Sequence, residues 1–175
     1  TNTNGTLVWS KQVLPTIGNY FFIQDIAMTP DESHIYPVGF ISSANCFSCP
    51  SSGYQDSQVF VTKYETTTGN LIDSVFSDPQ NGDISSMQAA VSDSGDVFLS
   101  FGFNTSFEVN NQIYTSFNAY DIVFTKIKKD FTWDFVRTFG SANTISIRDI
   151  LYKNGDIILG GEAIEYLLLD TLYLI

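Results

Sequence analysis

Basic residues, histidine, cysteine and helical patterning are all scarce in this chain, and each shortage closes a class of function. Eight Lys and Arg stand against 19 Asp and Glu in 175 residues, for a net charge of −11. That balance repels phosphate backbones and anionic lipid surfaces, so nucleic acid is not an expected partner. Only Lys126, Lys128 and Lys129 cluster, and their place at the end of an expected strand reads as a solvated edge. His34 is the one histidine, and Cys46 and Cys49 are the two cysteines. A four-ligand zinc site cannot be completed from that set alone, and no metal or cofactor is expected. No apolar run is long enough to make a membrane-spanning helix. No window of a dozen residues places apolar side chains at three-four spacing, which removes helices as the main element.

What the chain does carry is strand chemistry. Hydrophobic residues make up 43% and aromatics 15%, with Val, Ile, Phe, Tyr and Thr prominent, the types that suit a pleated, half-buried surface. Alternating runs such as Ile122 to Ile127 and Asp156 to Leu159 recur between turn residues, so an all-β domain is expected. A length of this order suits a single domain. The chain opens on Thr1 in a polar tail, which reads as a processed mature protein or a segment of a longer one.

The pattern also repeats, about every 60 residues, a period that accommodates one four-stranded sheet per repeat. Gln24-Asp25-Ile26-Ala27 leads to His34 through Phe40, Gln88-Ala89-Ala90-Val91 to Gly95 through Phe103, and Arg148-Asp149-Ile150-Leu151 to Gly155 through Gly161. A second signature follows twice, as Gln58-Val59-Phe60-Val61-Thr62-Lys63 and as Asp121-Ile122-Val123-Phe124-Thr125-Lys126. A third closes the unit in Asn70 to Phe76 and Phe131 to Arg137, and opens the chain as Gly5-Thr6-Leu7-Val8-Trp9-Ser10-Lys11. Expected strands are 23–29, 34–41, 57–64 and 70–77 in the first unit, and 87–92, 96–103, 120–127 and 131–139 in the second. Ser92 to Asp96 and Lys153 to Asp156 have the Asp-or-Asn and Gly content of tight hairpins. The organisation expected is a lone fourth strand at 6–13, units at 23–77 and 87–139, and a partial unit at 146–175. This reads as propeller-like repeats of four-stranded antiparallel blades, two complete and others partial.

These runs resemble the bacterial-type β-propeller repeat (SBBP repeat) family. The second strand resembles Gly95 to Gly102, the third Asp121 to Lys126 and the fourth Gly5 to Ser10. Asp73 stands where Trp9 and Trp133 lead one to expect Trp, and Gln58 stands where Asp121 leads one to expect Asp. The resemblance implies a secreted or surface scaffold or recognition module, with no catalytic motif to carry over.

Two long second-to-third-strand connections are the variable parts. The first, within 42–56, is Ser-rich and holds Cys46-Phe47-Ser48-Cys49-Pro50; the second, 104–119, holds Phe107 to Tyr114 as an accessory hairpin around Asn110-Asn111. Cys46 and Cys49 admit a metal half-site, a redox pair, inert thiols or a local disulfide. The disulfide is the expectation, and it implies an oxidising compartment. Asn4 and Asn104 head Asn-x-Ser/Thr triplets and are the expected glycosylation sites. Asp93, Asp96 and Asp156 lie in acidic turns with Gly, but the spacing is not that of an EF-hand and ordinary hairpins account for them. His34 has no nucleophile motif beside it. The carboxylates Glu108, Asp121 and Asp134 sit at strand ends, and Phe60, Phe98, Phe124 and Trp133 occupy repeat positions suited to packing between blades. The expected function is a non-enzymatic extracellular or cell-surface module that packs against further blades or further copies of itself through edge strands, as in a filament. The alternative is a glycan- or protein-binding module that uses loops 42–56 and 104–119, with Phe47, Tyr54 and Tyr120 on one rim.

Overall fold

All regular structure in the computed structural model is β-strand, among the residues it describes: 7–11, 19–43, 55–79, 82–117, 120–140 and 145–163. The first unit is a meander of β1 (Asn19–Met28), β2 (His34–Ser43), β3 (Gln55–Glu65) and β4 (Leu71–Phe76), antiparallel throughout and ordered as in the chain. The second unit has β5 (Ile84–Val91) and β6 (Val97–Phe103), then an inserted hairpin of β7 (Ser106–Val109) and β8 (Gln112–Thr115). It continues with β9 (Asp121–Ile127) and β10 (Trp133–Phe139), in a sheet of order β10-β9-β6-β5. β11 (Ile145–Lys153) and β12 (Asp156–Ala163) pair as a two-stranded sheet, the third unit among the described residues. No helix is long and apolar enough to cross a membrane among the described residues.

Turn chemistry sets the hairpins. Asn110 and Asn111 at φ 53° and 59° join β7 to β8, and Asn154 and Gly155 at φ 53° and 91° join β11 to β12. Positive φ at both central residues matches the right-handed twist of the flanking strands, and Asn and Gly tolerate it best.

Each unit's first strand carries a bulge in the same place: between Ile23 and Asp25, between Ser85 and Gln88, and between Ile147 and Asp149. The bulge lets β1 continue back to Asn19, four residues before the expected start, where it still pairs with Ser43. Opposite each bulge stands a glycine, Gly39, Gly102 or Gly161. A Cβ on Gly39 would land on the Phe22 carbonyl oxygen, and one on Gly161 on that of Ser146.

The three sheets stack with their first strands β1, β5 and β11 as neighbours. Val59 and Val61 of β3 point into the core shared with Ala89, Leu99 and Val123 of the second unit. The matching residues of β9, Ile122 and Phe124, point the other way, into a core with Ile150, Ile157 and Leu159 of the third. Each unit therefore turns the same forward face to the next unit's rear face. Of the aromatics expected to pack between units, Phe124 and Phe98 lie at the second junction and Trp133 at the first, whereas Phe60 lies on the rear of the first sheet, against no other unit among the described residues.

Residues 7–11, expected as part of a lone fourth strand, form no strand. Among the described residues their anchor is Trp9, whose indole Nε1 donates to the Thr66 carbonyl at 2.6 Å and whose ring lies against Gly69.

Candidate functional site

Along the turn-bearing edge of the stack, across the first junction, the β1–β2 and β5–β6 turns frame a crevice of about 420 Å³, lined by Asp31, Ser33, His34, Tyr36, Lys63 and Asp93 among others. Its Asp, Ser and His sit next to one another, so their protons decide what they can do. The Ser33 hydroxyl donates to Asp31 Oδ1 at 2.7 Å, and the Ser33 amide donates to the same oxygen at 3.0 Å. His34 Nδ1 lies 2.6 Å from Ser33 Oγ. A hydroxyl has one proton, and here the carboxylate holds it, so His34 Nδ1 must be the donor to Ser33. A nucleophilic serine needs the reverse arrangement, with histidine receiving its proton. The trio closes a turn.

Hydrogen bonds from the Thr29 hydroxyl and from the hydroxyl and amide of Ser33 hold Asp31 down at about 2, from an ordinary 3.8. The folded value is the lower, so this contribution to stability is complete above about pH 3.8 and is lost as pH falls through 2. Melting temperatures taken from neutral pH to pH 2 should fall through that window, where Asp130, Asp134 and Glu162 are held low as well, and Asp31→Asn should remove its own share of the fall without moving the neutral plateau upward. An unchanged acid limb in the variant would assign the fall to other carboxylates. Asp130 repeats the device at the β9–β10 turn, held low first by the Thr132 hydroxyl at 2.6 Å.

The remaining expected carboxylates are dispersed. Asp96 Oδ1 accepts the Lys129 amide at 2.9 Å, and Asp93 accepts the Tyr152 hydroxyl at 3.5 Å. Asp156 pairs with Lys153 in register at the start of β12. Asp134 is paired with Lys126 at 2.6 Å and Lys128 at 3.2 Å, and the Lys126 hydrogen bond chiefly lowers its carboxyl. Asp121 Oδ2 accepts the Phe117 amide at 2.8 Å. Among the described residues no three His, Cys, Asp or Glu side chains converge.

Asn104 is half-buried and clasps Asp83: its Oδ1 accepts the Asp83 amide at 2.6 Å and its Nδ2 donates to Asp83 Oδ2 at 3.1 Å. The exposed Tyr120 donates to the same carboxylate at 3.2 Å. Asn4, Cys46, Cys49, Phe47 and Tyr54 lie outside the described residues.

The groups that join the units were not singled out from sequence. Asp25 accepts the Ile26 amide on Oδ1 and the Ala89 amide on Oδ2, both at 2.8 Å, which ties β1 to β5. Tyr36 stacks on Phe131 at 6.4 Å between ring centroids, and Lys63 Nζ lies 5.7 Å above the Tyr36 ring. Phe131 takes φ 62°, as Gly69 takes φ 68° at the matching turn of the first unit. The left-handed region costs a residue with a Cβ about 1–2 kcal/mol, which the buried ring offsets by packing across the junction. An aromatic where the sister repeat has glycine is the signal that would have found it.

Both ends of the stack present apolar surface. The rear of the first sheet is a groove of about 460 Å³ rimmed by Trp9 and floored by Phe21, Ile23, Ile26, Pro37 and Phe60. Ile26 there is 57% exposed; at the other end, Leu151 is 50% and Ile158 53% exposed on the forward face of β11–β12. Compared with known proteins, the chain matches no family model and no curated protein.

Proposed function

We propose that this chain is a structural module in which four-stranded sheets add face to face in the manner of propeller blades, serving an extracellular or cell-surface assembly and performing no catalysis. The observation that carries the reading is the repeated junction: forward face meets rear face twice, in the same sense, with apolar surface at both ends. A face order preserved from unit to unit is what lets repeats extend indefinitely, because every new unit buries the surface that the last one leaves open. The resemblance to bacterial-type propeller repeats supports the same reading. The net charge of −11 suits a surface protein that must stay dispersed until its faces meet. Fractionation of the source cells is expected to recover the protein outside the cytosol in a large, detergent-resistant species. Recovery as a soluble cytosolic pool would defeat the reading.

A binding module remains the second reading because of the inserted β7–β8 hairpin. Phe107 anchors it against Phe101 and Trp133 at 5.1 and 6.1 Å between centroids, while Ile113 and Phe117 stand 64% and 83% exposed. An anchored hairpin with uncovered apolar residues on it and just after it suits contact with a glycan or a protein.

A further inference from the structure

We infer that the forward face of β11–β12 in one copy of this chain docks on the rear face of the first sheet of a second copy, head to tail. The inference rests on the structural reading above and names its partner. Three observations set the register. The two internal junctions both join a forward face to a rear face, and the surfaces left at the ends are one of each kind. Asp149 repeats Asp25: its Oδ1 accepts the Ile150 amide at 2.9 Å, as Asp25 accepts that of Ile26, and the carboxylate is exposed on the open face. In the first junction the equivalent second oxygen crosses to the neighbouring first strand. The third observation is Trp9. A Cβ built on Gly69 would lie 2.6 Å from its ring, so the indole occupies the direction in which Phe131 projects from the matching turn of the second unit. Phe131 meets Tyr36 of the preceding sheet, and the residue matching Tyr36 in the third unit is the exposed Ile158. Trp9 of one copy is thereby placed to cover Ile158 of the next.

Such a contact is heterologous, so it propagates into rings or filaments instead of stopping at a dimer. Sedimentation velocity on the 175-residue chain, from micromolar to millimolar, should show a mass that keeps rising past the dimer. Added salt should steepen the rise, because each copy carries a like net charge that ions screen. Ile26→Glu spoils the rear face and Leu151→Glu the forward face, and each variant alone should remain monomeric. Mixed, they retain one good face each and should form a dimer and nothing larger. Circular dichroism matching the wild type establishes that both variants are folded. A wild type that stays monomeric at millimolar concentration overturns the docking and leaves a further unit of the same repeat as the occupant, with the structural reading still open to its own test. A wild type that stops at the dimer, with variants that do not associate when mixed, also overturns it, in favour of a two-fold contact.

Discussion

Phe124→Ala should destabilise the protein by about 4 kcal/mol, the range seen when a fully buried aromatic is cut back to a methyl group. Phe124 has no exposed surface and sits at the junction of the second and third units, 6.2 Å from Phe98 and 5.6 Å from Phe135 between ring centroids. Phe98 in turn stacks on Tyr152 of β11 at 6.2 Å, so the cavity would open where two sheets meet. A loss of this size is a third or more of the stability of many domains. Chemical denaturation followed by tryptophan fluorescence and by far-ultraviolet dichroism should show one transition moved to lower denaturant by both probes. If dichroism falls in two steps, the β11–β12 pair unfolds separately and the junction is not cooperative. A loss under about 1 kcal/mol would contradict the packing described for this residue.

Gly39→Ala is expected to cost about 3 kcal/mol, the upper part of what overpacking a filled site usually costs. The new methyl group would collide with the Phe22 carbonyl oxygen and approach the Phe60 ring to 3.0 Å. Backbone cannot swing aside as a side chain can, so β1 must leave its register beside the bulge. The three repeat glycines then form a graded series. Gly161→Ala meets the Ser146 carbonyl and should cost nearly as much as Gly39→Ala, whereas Gly102→Ala meets the Ser85 hydroxyl, 2.7 Å away, with the Ser85 carbonyl at 3.6 Å. A hydroxyl rotates at little cost, so Gly102→Ala should be the mildest of the three. Denaturation midpoints at constant m-value would measure the series. Equal losses at all three positions would mean that the bulges, and not the carbonyl contacts, set the cost.

The strands themselves were legible because alternation and β-branched residues act locally, and the turn pairs Asn110-Asn111 and Asn154-Gly155 fixed their hairpins through φ alone. The bulges escaped notice because an extra residue such as Gln24 changes no residue type and only shifts which partner lies opposite. Where strands are buried on both faces, as from Asp121 to Thr125, periodicity vanishes and no pattern tells which side faces which neighbour. The candidate junction was hidden for a related reason. Asp25 and Ala89 are 64 positions apart, and neither is unusual for its strand until the sheets meet. The Ser33 and His34 pair shows the reverse limit, since adjacency in sequence implied nothing about the direction in which their protons run.

Sequence alone determined an all-β chain, its repeat of about 60 residues, its turns and its acidic character, because each follows from local propensity or composition. Only the tertiary structure decided the face order of the sheets, the tie from Asp25 to Ala89, the strained Phe131 over Tyr36 and the indole of Trp9 beside Gly69. These depend on which surfaces remain to be buried once the strands have paired, and burial is a property of contacts between units that no single repeat encodes.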